Sequence, residues 1–225
     1  PNHSGQRTHS IDRITPHCVV GQCSVETLGN VFLPKSRQAS SNYGIGVDGR
    51  VGMYVEEKNR SWCSSSASND QRAVTIECAS DSKAPYAFKD VVYNKLIELC
   101  TDICKRNGKT RLLWLGDKDK TLGYTPAPDE MVLTVHRWFA NKSCPGDWMY
   151  ARMGDLAEKV TVALGGQTQA PLDNAPAAWS KDAVNWALEN RLLLGDANGD
   201  LKLWENLTRE QFCVMLKRYH DLFQK

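Results

Sequence analysis

Between Thr134 and Asp147 the chain reads T-V-H-R-W-F-A-N-K-S-C-P-G-D, which places His136, Lys142 and Cys144 within one short stretch. An imidazole and a thiolate are good zinc ligands, and an ammonium close by can stabilise developing negative charge. A catalytic zinc site takes three protein ligands and an open position, so a third ligand has to come from elsewhere. His17, in the early apolar stretch over 11–20, is the best candidate. Read alone, its favoured reading is a satisfied core histidine. Glu77 is the other group that needs explaining, because it sits in the β-rich run Arg72-Ala73-Val74-Thr75-Ile76-Glu77-Cys78. Burying an unpaired carboxylate is costly, so it either alternates outward to solvent or serves a metal site as general base.

The elements that must position these groups follow from periodicity. Residues 11–20 read as a buried strand ending in a Gly-Gln-Cys-Ser turn. Ser24 can then cap a short helix with Val25, Leu28 and Phe32 on one face. Asp48-Gly49 marks a hairpin within 42–56, followed by a Ser-rich loop over 60–68. Phe88, Val92, Leu96, Leu99 and Ile103 recur at helical spacing, and Gly108 closes that helix. Strands are expected at 111–115 and 131–135, the second presenting His136 at its end. A last helix capped by Asp147 buries Met149, Met153, Leu156, Val160 and Leu164. Strands alternating with helices predict an α/β domain with a central mixed sheet flanked by helices. Residues 1–10 are polar and are expected to fray or to pack as an arm.

His136-x5-Lys142-x-Cys144-Pro145, a histidine on an early strand and Glu77 in a β-like run together resemble the zinc N-acetylmuramoyl-L-alanine amidases, the family of phage endolysins and peptidoglycan-recognition proteins. The resemblance covers about residues 8 to 165. It implies a Zn2+ ion held by His17, His136 and Cys144, with Glu77 as general base on water and Lys142 stabilising the oxyanion. The scissile bond it implies is the amide between N-acetylmuramic acid and L-alanine in peptidoglycan. It also places Trp62, Asn42 and Asn141 along the substrate groove. Two positions depart from the family's pattern: Ser41-Asn42 stands where many members carry a histidine, and Cys63 follows Trp62 where the loop often reads Trp-His. Two alternatives stay open: a non-catalytic peptidoglycan-binding protein on the same scaffold, and a zinc peptidase acting on the stem peptide. The retained Cys144 weighs against the first, and the lack of an H-E-x-x-H helix against the second.

In 225 residues, 41% are hydrophobic and 24% charged, ordinary for a globular protein with one or two domains. A net charge of +2 without a Lys/Arg block gives no case for nucleic acid, and no apolar run reaches the length of a membrane span. The polar amino terminus lacks the apolar core of a secretory signal. The expectation is therefore a phage-type lysin made in the host cytoplasm and acting on the wall, or a protein secreted by another route. Of the eight cysteines, most are expected to be free, with Cys23 and Cys63 as the exceptions to watch. The expected division is a catalytic domain over 1–165, a Gly/Pro/Ala/Asn linker over 166–176 and a small helical domain over 177–225. The last segment resembles a single S-layer-homology repeat, which implies binding to wall polymers. Trp179, Ala183, Trp186, Ala187, Phe212, Leu216 and Tyr219 are expected to form its core, and a unit this small is expected to dock or self-associate. Asp196-x-Asn198-x-Asp200 lacks the later ligands of a calcium loop and reads as a turn.

Overall fold

The structure, a computed structural model, describes residues 2–165, 174–195, 199–203 and 207–222. The chain divides into two compact units, Pro1–Thr168 and Gln169–Lys225.

The first unit is built on the apolar run at 11–20, which forms β2 (Arg13–Cys18), buried along its whole length. Beside it lie β6 (Ala73–Cys78) and β8 (Glu130–Leu133), both parallel to it. With β3 (Tyr43–Ile45), β4 (Val51–Met53) and β7 (Arg111–Leu113) they make a six-stranded sheet in the order β4-β3-β6-β2-β8-β7. Only the β3–β4 hairpin is antiparallel within it, so the sheet is mixed. The hairpin has the Asp48-Gly49 turn that its sequence predicts, with Gly49 at φ +82. Gly44 in β3 is required for a different reason: a Cβ there would lie 2.6 Å from the hydroxyl of Tyr54.

Successive residues of a strand face opposite sides, and that alternation decides where the chemistry sits. Ile14 and Cys18 of β2, with Val74, Ile76 and Cys78 of β6, join the apolar core. That core is completed by α3 (Asp90–Arg106) and α6 (Met153–Ala163), through Val92, Leu96, Ile103, Met153, Leu156 and Val160. Arg13, Thr15 and His17, with Thr75 and Glu77, therefore turn to the other face. The helix expected after Asp147 is broken into α5 (Asp147–Tyr150) and α6, yet Met149 and Met153 are both buried as predicted.

Two features escape the periodicity. Of the two outcomes expected for the polar amino terminus it takes the second and packs as an arm, though as a strand: β1 (His3–Gln6) pairs antiparallel with β5 (Asn59–Ser61). The Ser-rich loop leads into α2 (Ala67–Arg72), capped by Ser66, which accepts from the backbone of Asn69. A further short helix, α4 (Lys118–Gly123), lies in the turn-rich segment before β8, and α1 (Val25–Phe32) starts on the Ser24 cap as expected.

In the second unit, α7 (Lys181–Glu189) and α8 (Arg209–Leu222) are the described helices. The residues expected to form their core do not bury: Trp179, just before α7, is 87% exposed, Phe212 51% and Leu216 50%. Among the described residues of this unit Leu192 is the buried hydrophobic one, and Leu192, Leu201, Leu207 and Val214 line a groove of about 660 Å³. Residues 166–173 of the linker, and Asp196 and Asn198 of the turn, lie outside the described residues. Among the described residues no helix is long and apolar enough to cross a membrane. None of the eight cysteines is in a disulfide.

Candidate metal centre and cleft

In β2 and β6, His17 pairs in register with Glu77, and across β6 Glu77 pairs with Gly44. Both side chains therefore leave the same face, near the carboxyl ends of neighbouring parallel strands, where open α/β sheets commonly place their ligands. β8 runs beside β2 and ends just before a single 3-10 turn, His136–Trp138. That turn brings the ring of His136 to 5.1 Å from the ring of His17. The following loop is pinned by a bond from the Arg137 backbone N–H to the Cys144 carbonyl (3.1 Å), and the Arg137 side chain reaches Asp147. Arg137 also lies over the Tyr150 ring, and Trp138 stacks on Trp114. These two residues support the loop that delivers Cys144.

Cys144 Sγ arrives 3.2 Å from His17 Nδ1. One ligand atom each from His17, His136 and Cys144 lie within 4.8 Å of one another. Two imidazoles and a thiol so close suit a tetrahedral thiophilic cation with its fourth position open. Burial holds His17, only 1% exposed, well below the ordinary histidine pKa, so it is a neutral ring with a lone pair to give. Burial and the Lys142 ammonium lower His136 in the same way. A hydrogen bond with Cys18, then burial, push the Cys144 thiol well up.

His136 Nε2 lies 2.9 Å from Ser65 Oγ. With Nε2–H donating to Ser65, Nδ1 keeps its lone pair for a metal and the ring is fixed, the usual arrangement behind a metal-bound histidine. Ser65→Ala is expected to weaken zinc affinity by about 10- to 100-fold. Competition with a chromogenic chelator measures it; unchanged affinity would remove Ser65 from the support of His136.

Glu77 does not alternate out to solvent. Its Oε2 is buried with no hydrogen-bond partner, and its Oε1 lies 3.8 Å from Cys63 Sγ. Burial raises its pKa to about 7. Glu77, His136, Lys142, Arg37 and Phe32 stand where two lobes of one cleft meet, of about 570 and 400 Å³. Trp62 and Cys63 line the larger lobe, and the Trp62 indole N–H donates to Ser4 (2.6 Å). Their loop is held by Asp70, whose carboxylate accepts from the Ser64 hydroxyl (2.6 Å) and from the backbone N–H groups of Cys63 and Ser64. Behind it, Asn69 donates to Thr15 on β2, which carries His17, and accepts from Thr134, just past β8 and two residues before His136.

Two expected groove residues are elsewhere. Asn141 is exposed on the 137–144 loop, outside the lining of either lobe. Asn42 is fully buried: its amide N–H groups go to the carbonyls of Val55, Glu56 and Asn59, and its oxygen accepts from Arg7 and Thr75. It braces the strands and does not reach the cleft. Asn42→Ala is expected to lower stability by about 2–4 kcal/mol, because several buried backbone groups lose their partner. Denaturant unfolding reads that loss.

The model of the N-acetylmuramoyl-L-alanine amidase family matches residues 7–147, more than half of the chain. The chain belongs to that family. The matched span contains all three candidate ligands, Glu77 and Lys142. Among solved structures, the catalytic domain of XlyA resembles the amidase described here with a TM-score of 0.51 at 10% identity, over 71% of this chain and 92% of that one. The Ph2119 endolysin from a Thermus scotoductus bacteriophage gives a TM-score of 0.49 at 18% identity, over 74% and 92%. The N-acetylmuramoyl-L-alanine amidase LysC from Clostridium intestinale gives 0.47 at 14%, over 70% and 87%. At such identities the XlyA likeness is one of fold. No curated protein matches the chain.

Proposed function

We propose that this amidase hydrolyses the amide between the lactyl group of N-acetylmuramic acid and L-alanine in peptidoglycan, as a zinc enzyme. The observation that carries this is that His17, His136 and Cys144 bring one ligand atom each within 4.8 Å of one another in the smaller lobe of the cleft, with the buried Oε2 of Glu77 at its junction with the larger lobe. Zinc would be held by those three residues and, when bound, supplies a Lewis acid that lowers the pKa of water and polarises the scissile carbonyl.

The chain's own residues do the rest. Glu77 takes a proton from the attacking water and returns one to the alanine nitrogen as it leaves. A pKa raised to about 7 lets one carboxyl group act in both directions at neutral pH. Lys142, at the same junction, lies where its ammonium can offset the charge developing on the carbonyl oxygen. The two lobes leave room for sugar on one side of the junction and peptide on the other, with Trp62 offering a flat surface to stack on.

We read the whole chain as a wall-lytic enzyme of the endolysin type, with its second unit as a module for wall polymers. The support for that module is a separate compact unit with its own groove. A soluble muramyl peptide tests the bond: cleavage at the lactyl amide yields a peptide with free N-terminal alanine and an intact sugar acid. Products cut within the peptide would instead establish a stem peptidase.

A further inference from the structure

His17 belongs to two clusters. Besides its grouping with His136 and Cys144, one ligand atom each from His17, Cys63 and Glu77 also lie within 4.8 Å of one another. Two of these residues each have a buried polar atom with no hydrogen-bond partner, His17 Nε2 and Glu77 Oε2. The other nitrogen of the ring, Nδ1, is the one beside Cys144. Buried polar atoms are otherwise satisfied almost everywhere in proteins, so two orphans within one three-residue cluster need a reason. The separation of Cys63 Sγ from Glu77 Oε1, 3.8 Å, is close to the spacing of two ligands on one small tetrahedral cation.

We propose that His17, Cys63 and Glu77 form a second cation site, which takes zinc or another thiophilic divalent ion and silences the enzyme when filled. The donor set is one nitrogen, one sulfur and one oxygen, and both anionic ligands offset the charge of the ion. Binding displaces the proton of the Cys63 thiol, the proton of Glu77 where it is present, and, when both ring nitrogens of His17 hold ions, the remaining ring proton. The site fills after the first one, because it shares His17 and because two dications held this close repel. A filled second site ties up the Glu77 carboxylate. The silencing, though not the binding, rests on the role of Glu77 proposed above.

The test is a titration of the metal-free full chain with Cd2+ alone, followed by the ultraviolet charge-transfer absorption of cadmium–thiolate bonds. The background is Cys213→Ser, which removes an exposed thiol. The parent is expected to titrate in two phases. Cys63→Ala should lose the second phase and about half of the amplitude, with one thiolate bound in place of two. Glu77→Gln should weaken the second phase and keep the first. A single phase in the parent, or a second phase unchanged in both variants, overturns the site. Turnover on walls, followed in parallel with increasing zinc, should fall in the parent and hold at its own starting level in Cys63→Ala. A filled second site with undiminished turnover overturns the silencing. If Glu77→Gln turns over normally, the assignment of Glu77 as base fails, while the cadmium titration still decides the site.

Discussion

Glu77→Ala is expected to bind zinc as the parent does and to lose about 10²–10⁴-fold in turnover, the range over which a positioned general base contributes. The expectation rests on position more than on residue type. Glu77 stands in register with His17 on the adjacent strand, with one oxygen buried and unpartnered and the pKa raised to about 7 by that burial. A carboxylate that merely braced the strand would have its oxygens satisfied. Glu77→Gln keeps the shape and removes the base, so it should fall as far as Glu77→Ala and remain as stable as the parent. Metal analysis of the purified variants separates this outcome from loss of the ion. Near-normal turnover in Glu77→Gln would remove Glu77 as the base.

Cys144→Ser is expected to lose zinc and activity together. The drop in affinity should exceed the 10- to 100-fold or so that goes with a lost supporting partner, since a hydroxyl replaces a thiolate among three ligands. Without zinc the variant should unfold close to the metal-free parent, because the Cys144 thiol is held neutral by its bond with Cys18 and by burial. Added zinc should raise the Tm of the parent, as any ligand of the folded state does, and raise that of Cys144→Ser much less. An equal zinc-induced rise in both proteins would take Cys144 out of the ligand set.

Much of this site was legible because its residues ride on strong periodic elements. The run at 11–20 had to be a buried strand, and the helix carrying Val92, Leu96 and Ile103 had to cover one face of the sheet. Strand alternation then fixed the face of Glu77 once the neighbouring strand was known. Ser65 and Asp70 were not legible. Their roles come from contacts between segments distant in the chain, such as Ser65 with His136, and a serine-rich loop carries no sign of which serine will face a histidine. Asn42 misled for the same reason, since its partners at 55–59 and Thr75 come together only through the hairpin and β6. β1 and β5 escaped because strands this short and polar are defined by pairing alone. In the second unit the helical spacing of Phe212, Leu216 and Tyr219 predicts a buried stripe, but these residues stay largely exposed and Leu192 is buried instead.

The most direct test of the central claim is a count of the ends created in purified cell walls, with and without a zinc chelator. A zinc amidase gives new amino groups borne by alanine, no new reducing sugar ends, loss of both release and turbidity clearing with the chelator, and recovery on adding zinc back. New reducing ends, new amines on residues other than that alanine, or release indifferent to the chelator would contradict it.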